Sequence, residues 1–313
     1  MEFAIVSALN GVIYGLLLFM VSAGLTLIFG MMGVLNFAHA SFYMLGAYAA
    51  YAVSSRVNFW VGLLIAPLVV GVVGMLVERF LLRRVHAFGH AHQLLLTFGL
   101  ALIFEELIKL FFGDFPVNYR MPENLRFAAF TVFGTDYPFY RMFIGAVAVI
   151  MFIALYVLLA RTRIGIVVRA AERLPNMAEA LGHDVPLVFT SVFGAGAALA
   201  GLAGAVAGAF FPTNPNMALD MAIIVFVVVV VGGLGSLKGS LVASVMIGLF
   251  SSFAVGIDWS LATLCDLVGL GAWARSVGGL LTMTISSISG TIPFLLMLIV
   301  LLVRPAGLMG ERN

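Results

Sequence analysis

Long apolar runs separated by short polar or glycine-bearing breaks set the pattern of this chain. Nine runs are long enough to read as membrane helices, at approximately 5–30, 37–55, 58–82, 92–112, 138–160, 186–211, 218–235, 239–256 and 288–303. A helix needs about 20 apolar residues to cross the hydrocarbon of a bilayer. The pattern therefore predicts an all-α polytopic membrane protein with about nine transmembrane helices, within a range of 8–10, forming a single transmembrane domain over residues 1–313. Between Asp258 and Ser287 the apolar stretches Leu261–Leu270 and Val277–Ile285 are short and broken by Asp266 and Arg275. That segment reads as outer, and as interfacial or re-entrant.

Composition agrees. Of the 313 residues 63% are apolar, and only 30 are charged (16 Lys and Arg, 14 Asp and Glu), too few to cover the surface of a soluble protein of this size. No polar block of domain size exists, the longest loop-like stretch being Gly113 to Pro138. The lone Cys265 has no disulfide partner within the chain, and the sequence lacks clustered Cys and His at metal-ligand spacing. A net charge of +2, scattered over short loops, forms no nucleic-acid patch. Met1 to Asn10 lacks the cationic start of a signal peptide, so the first run is expected to remain as a span.

Sidedness follows from Lys and Arg. With the N-terminus outside, the inner side collects Arg79, Arg83, Arg84, Arg161, Arg163, Arg169, Arg173, Lys238, Arg304 and Arg312. The outer side holds Arg56, Arg120, Arg126, Arg141 and Arg275, and Lys109 lies within a span. The positive-inside bias predicts an outside N-terminus and an inside C-terminus.

An internal repeat is visible at an offset of 202: Gly30-Met-Met-Gly33-Val-Leu35 with Met44 and Gly46 aligns with Gly232-Gly-Leu-Gly235-Ser-Leu237 with Met246 and Gly248. Both copies fall where an inward span ends and an outward one begins, which predicts a parallel repeat. These six glycines are expected to be structural. Asn36, His39 and Ser41 sit at the first break, where they either face a pathway or satisfy the broken backbone. The run Gly194, Gly196, Gly201, Gly204, Gly208 and the pair Gly11 and Gly15 predict close helix packing.

Other motifs exclude chemistry. The Gly233–Gly239 tract imitates a dinucleotide loop, but the run after Gly239 is a span and not the helix of a soluble βαβ unit. Lys238 precedes Gly239, where a P-loop needs Gly-Lys-Ser/Thr, so the chain does not bind ATP by itself. Glu105, Glu106 and Lys109 lie within a span. Glu105 and Lys109, spaced i,i+4, are placed to neutralise each other; the alternative is a loose version of an intramembrane protease motif, with His39, His86, His90 or His92 as helpers. Arg161 to Val185 is the most informative loop. Its centre, Pro175 to Leu181, starts with Pro and stops at Gly182, reading as a short helix on the inner surface, either a docking element or an amphipathic segment on anionic lipid.

Four blocks carry a resemblance: Gly24-Leu-Thr-Leu-Ile-Phe-Gly30-Met-Met-Gly33-Val-Leu-Asn36-Phe-Ala-His39 continuing to Met44-Leu-Gly46-Ala-Tyr48; Arg169-Ala with Asn176, Ala180 and Gly182; Gly232-Gly-Leu-Gly235-Ser with Gly239; and Arg304-Pro305-Ala-Gly307-Leu. Together they resemble the branched-chain amino acid ABC transporter permeases of the LivH type over residues 24 to 308. Departures are Ala40 and Ala218, where the family often has Gly, and the long Asp258–Ser287 stretch, which bears on the outer topology. The resemblance implies a non-enzymatic subunit in a bacterial-type inner membrane, importing branched-chain amino acids or, in related permeases, urea, short amides or aromatic acids. It implies a second related permease, two ATP-binding subunits that carry the ATP and Mg, a periplasmic substrate-binding protein and surrounding membrane lipid, with no nucleic acid, cofactor or metal on this chain. It also implies a coupling loop at 161–185, contacting the ATPase through Arg169, Glu172, Asn176, Glu179, Ala180 and Gly182, with Asn36, His39 and Ser41 as pathway candidates. A secondary transporter and an intramembrane protease are the remaining classes.

Overall fold

The structure, a computed structural model, describes residues 2–33, 36–132, 134–257, 259–266 and 271–310. In chain order its helices are α1 (Glu2–Met32), α2 (His39–Ser54), α3 (Phe59–Val77), the single turn α4 (Arg83–Val85), α5 (His90–Phe112), α6 (Phe139–Arg161), α7 (Arg163–Arg173), α8 (Pro175–Ala180), α9 (Val185–Ala207), α10 (Met217–Gly232), α11 (Leu237–Val255), α12 (Leu261–Asp266), α13 (Gly271–Val277) and α14 (Ile292–Val303). A π-helical turn at Glu78–Leu82 joins α3 to α4. Among the described residues the strands are β1 (Ala128–Val132) and β2 (Thr135–Pro138), an antiparallel hairpin.

The chain is a multi-pass membrane protein. Glu2–Met32, Phe59–Val85, Phe139–Arg161, Val185–Ala207 and Leu237–Val255 are long and apolar enough to cross a bilayer, and Met217–Gly232 and Ser289–Val303 are apolar but shorter. The valine run of α10 is helical although valine favours strands in water. In lipid every backbone group must be paired within its own segment, and a helix does this whatever the side chain.

Small residues hold the bundle together, because helices in lipid gain little from burying apolar surface and depend on close van der Waals contact. α9 is the central post, and its glycines face three neighbours. A Cβ at Gly196 would stand 2.7 Å from Ile28 of α1, one at Gly201 2.8 Å from Val70 of α3, and one at Gly204 would overlap the Tyr43 carbonyl of α2. α1 runs antiparallel to α11 along most of its length. A Cβ at Gly11 would lie 2.7 Å from Leu249 and one at Gly15 2.6 Å from Val245; further in, the Thr26 and Ser240 hydroxyls hydrogen-bond at 2.7 Å. Leu17, Phe19, Met20, Phe42, Tyr43, Met44 and Phe193 are fully buried among these helices.

The loop between Gly113 and Pro138 has more structure than its sequence predicts. Besides the hairpin, Val117 bridges Thr213, and Tyr119 donates from its hydroxyl to the Ala205 carbonyl at 3.0 Å. Burial pushes the Tyr119 phenol up to about 12, so it remains a neutral donor. Tyr140, the second residue of α6, likewise donates to Val206 at 2.7 Å. The loop is thereby tied to the end of α9.

Each copy of the repeat is a helix, a glycine-marked break and a second helix. Gly33 has φ +62°, and Gly233 and Gly235 have φ +100° and +85°. The breaks touch, since a Cβ at Gly30 would be 3.3 Å from Gly235. The matched Gly46 and Gly248 both allow close approach, Gly46 to α9 and Gly248 to α1. Val34 and Leu35 of the first copy lie outside the described residues.

The closing Arg304–Leu308 segment folds back on the second break. Leu308 donates its N–H to the Val231 carbonyl at 2.8 Å and Met309 to Gly232 at 3.0 Å, satisfying carbonyls that the end of α10 leaves open. Gly307, at φ +79°, lies directly against Gly233. Two motifs some 70 residues apart are one structural unit. Within the expected outer segment, Asp258 and residues 267–270 lie outside the described residues; the described part contains the short helices α12 and α13 and a bridge between Ser260 and Thr284.

Candidate functional site

Arg161 to Val185 forms a platform of two short helices. Thr162 caps α7 by accepting from the Gly165 N–H at 3.2 Å, and a Cβ at Gly165 would strike the Leu158 and Leu159 carbonyls, so glycine permits the sharp turn out of α6. The sequence reading placed only the Pro175–Leu181 helix here; α7 precedes it. Gly165, Val168 and Ala171 point inward from α7 and pack with Ala178 of α8 against Met31 of α1 and Val185 and Val192 of α9. α8 begins at Pro175, and the His183 N–H returns to the Ala178 carbonyl at 3.1 Å around Gly182, whose φ is +87°. This is a left-handed glycine stop, which explains a Gly at that position.

With the inward face anchored, the outward face displays Glu172, Asn176, Glu179 and Ala180, all exposed. Leu174, Met177 and Leu181 stand beside them at 58%, 61% and 76% exposure, apolar residues that an ordinary aqueous surface would hide. Arg169 is also exposed, but its guanidinium donates to the Leu159 carbonyl and braces α7 against the end of α6.

A second feature involves α9 close to this platform in sequence and is not announced by it. Glu78, in the π-helical turn, is 2% exposed. It accepts from Arg83 at 3.4 Å and 3.2 Å and from the Thr190 hydroxyl. Arg83 donates further to the Pro186 carbonyl at 2.7 Å and the Thr190 hydroxyl at 2.6 Å. The clamp ties the end of α3 to the first two turns of α9, a few residues beyond α8. π-turns inside helices are frequent at functional sites; the sequence signal was an acid among Arg79, Arg83 and Arg84.

The polar residues of the first break are buried. Asn36, His39 and Ser41 are 4%, 1% and 1% exposed. His39 Nε2 lies 2.9 Å from the Val21 carbonyl; a carbonyl only accepts, so Nε2 carries the proton and Nδ1 is left an acceptor. Val21 lies well inside α1, so the chain has turned back from Met32 before α2 begins. Asn36 Oδ1 accepts from the Ala38 N–H at 3.0 Å, and Thr97 of α5 accepts from the Phe37 N–H at 3.2 Å. Asn36 Nδ2 and His39 Nδ1 are buried with no hydrogen-bond partner. Asn36 and His39 line a cavity of about 20 Å³ closed by Ala222, Val225 and Phe226 of α10, room for about one water. Ser41 is buried nearby in chain but does not line it.

Glu105 and Glu106 both pair with Lys109, at 2.7 Å and 2.9 Å, so one ammonium answers both carboxylates. Among the described residues no group of three or more His, Cys, Asp or Glu is placed to hold a metal.

Comparison with known proteins agrees with this architecture. The family described as branched-chain amino acid transport system / permease component matches residues 7–301. The chain is 24% identical to the high-affinity branched-chain amino acid transport system permease protein BraD of Pseudomonas aeruginosa, over 96% of this chain and 94% of that protein. It is 25% identical to LivH of Escherichia coli K12 at the same coverage, and 26% identical to a probable LivH of Methanocaldococcus jannaschii over 78% of each. Among solved structures it is similar to PsaBC from Streptococcus pneumoniae in complex with Fab, with a TM-score of 0.48, 11% identity and coverage of 95% and 91%, a likeness too weak to argue from. On the match to residues 7–301, the chain belongs to the branched-chain amino acid transport permeases, the non-catalytic membrane subunits of ABC transporters.

Proposed function

We propose that this chain is the permease subunit of an ATP-driven importer for branched-chain amino acids, taking substrate from a periplasmic binding protein across the inner membrane. The observation that carries the reading is the inner platform. α7 and α8 are anchored by Val168, Ala171 and Ala178 to the ends of α1 and α9, while Glu172, Asn176 and Glu179 and a rim of exposed Leu174, Met177 and Leu181 face outward. Such a surface is built to take a partner, here an ATP-binding subunit, and to pass its displacement into the central helix. The Glu78–Arg83–Thr190 clamp extends the same path to α3.

In this reading α1, α2, α3, α5, α6, α9, α10, α11 and α14 are nine spans, with the N-terminus outside, the C-terminus cytoplasmic and the two break-bearing pairs, α1–α2 and α10–α11, parallel repeats. Arg169, Ala180 and Gly182 shape the platform that Glu172, Asn176 and Glu179 present. Asn36 and His39, with Ser41 behind them, form the polar part of the pathway. Phe37, 46% exposed at the break, faces the second permease. The substrate is drawn from the named relatives, and selection is left largely to the binding protein.

The test is reconstitution of the chain with its second permease, two ATPase subunits and binding protein in liposomes. Labelled leucine is the first substrate, with urea, a short amide and an aromatic acid beside it. The double charge reversal Glu172→Lys with Glu179→Lys is expected to abolish uptake, either by disassembly or by ATP hydrolysis without transport. Unchanged ATPase co-purification together with unchanged uptake would sink the platform's assignment.

A further inference from the structure

A cavity of about 520 Å³ opens between the start of α1, the start of α6, the end of α11 and the turn leading into α14. It lies at the start of α1, the far end of that helix from the α7–α8 platform. Its volume is that of a small-molecule site. One wall carries Arg141, whose guanidinium donates to Asn10 Oδ1 and sits 5.5 Å and 5.4 Å from the ring centroids of Tyr137 and Phe210. Two aromatic faces and one amide hold the cation in place without neutralising it. The ion pairs of Arg83 with Glu78 and of Lys109 with Glu105 and Glu106 lie elsewhere, and no described carboxylate forms an ion pair with Arg141.

A guanidinium half-buried in apolar surroundings, with no described carboxylate beside it, is costly unless an anion joins it. The rest of the lining suits an anion as well. Ser251 lines the cavity, and its Oγ is buried without a hydrogen-bond partner, a donor left over. Ser289 and Gly290, which lead into α14, complete the polar side. Ile13, Leu17, Ile144 and Ile224 supply the aliphatic part of the lining.

We propose that this cavity binds a small monocarboxylate with an apolar body. Arg141 takes the carboxylate in charge-assisted hydrogen bonds, Ser251 donates to it, and the isoleucines cover the body. No described acidic side chain lines the cavity to receive an ammonium group, so the site favours a plain aliphatic carboxylate over the matching zwitterionic amino acid. The inference does not depend on the transport reading, because binding needs neither ATPase nor partner permease.

The experiment uses the full chain in nanodiscs of zwitterionic lipid, with 4-methylpentanoate as probe and calorimetry as readout. Saturable binding is expected, weakened about tenfold or more for 4-methylpentanamide, for leucine and for the Arg141→Gln variant, and less for Arg141→Lys. Ser289→Trp, which puts a large ring into the cavity lining, should block binding while leaving Arg141 intact, which keeps the test sound if Arg141→Gln fails to fold. Equal binding of acid and amide, or binding untouched by Ser289→Trp, would overturn the proposal. So would loss of the probe's binding in nanodiscs containing phosphatidylglycerol, since the anion would then be a lipid headgroup.

Discussion

The two helix breaks of the repeat descend from one sequence pattern and are finished in opposite ways. The break after α10 is sealed. Ser236 accepts from the Gly239 N–H at 3.1 Å, Gly232 packs on Gly239, and the chain's own tail donates to Val231 and Gly232. The break after α1 is left polar and incompletely paired, with Asn36 Nδ2 and His39 Nδ1 buried and unpartnered beside a water-sized cavity. Unpaired buried polar atoms cost roughly 1–3 kcal/mol each, so a fold retains them where something else requires them. The contrast is between a joint whose backbone groups are paired from within the chain and one that leaves two buried polar atoms facing a cavity the size of one water.

The sharpest way to break this comparison is at Gly239. A Cβ there would overlap the Gly232 carbonyl, backbone that no side-chain rotation relieves. Gly239→Val is expected to cost about 3 kcal/mol or more and to leave no monodisperse protein by fluorescence size exclusion; a well-folded variant would show that the second break is not a rigid joint. Next in size is Leu308→Pro, which deletes the N–H given to Val231 and disturbs an apolar contact with the Val227 and Val228 cluster. A loss of roughly 1–3 kcal/mol should appear as a lower melting temperature, with residual transport falling only in step with folded protein.

His39→Ala should show the opposite signature. It removes the bond to Val21 and leaves the space of a buried imidazole packed against Phe42, in all about 2 kcal/mol, so the melting temperature falls to a similar degree as for Leu308→Pro. If the first break lines the pathway, uptake per folded complex changes by far more than that. Equal, proportionate losses of stability and uptake would make His39 a core histidine and erase the functional half of the contrast.

Much of this was legible beforehand, for reasons that can be named. Apolar runs mark helices because lipid leaves the backbone no other way to pair, and each run from 5–30 to 288–303 is occupied by one. The α8 start at Pro175 and stop at Gly182 follow from backbone restrictions local to those residues. What stayed hidden depends on contacts distant in sequence. Nothing in Arg304–Leu308 announces that its amides finish α10, and Glu78 looks like one more charge near an inner loop until Thr190, 112 residues later, closes on it. The hairpin at 128–138 was missed because Ala128–Val132 is short, and pairing with Thr135–Pro138 leaves no long periodic signal. Arg169 likewise gives no sign in the sequence that its guanidinium reaches back to the Leu159 carbonyl.

The smallest effect separates conformation from contact at the breaks. Gly33 and Gly235 both have positive φ, +62° and +85°, so alanine at either pays for a left-handed backbone, about 1–2 kcal/mol, partly offset by a stiffer unfolded chain at about 0.4–1 kcal/mol. They differ in surroundings: a Cβ at Gly33 meets nothing within 4 Å, whereas one at Gly235 would lie 3.1 Å from the Gly30 Cα. Gly33→Ala is therefore expected to cost about 1 kcal/mol or less, and Gly235→Ala measurably more, the excess being the packing of one break against the other. Thermal unfolding of the two variants side by side reads this difference. Equal costs would mean that the breaks do not bear on each other, and that the Gly30–Gly235 contact is incidental to the joint.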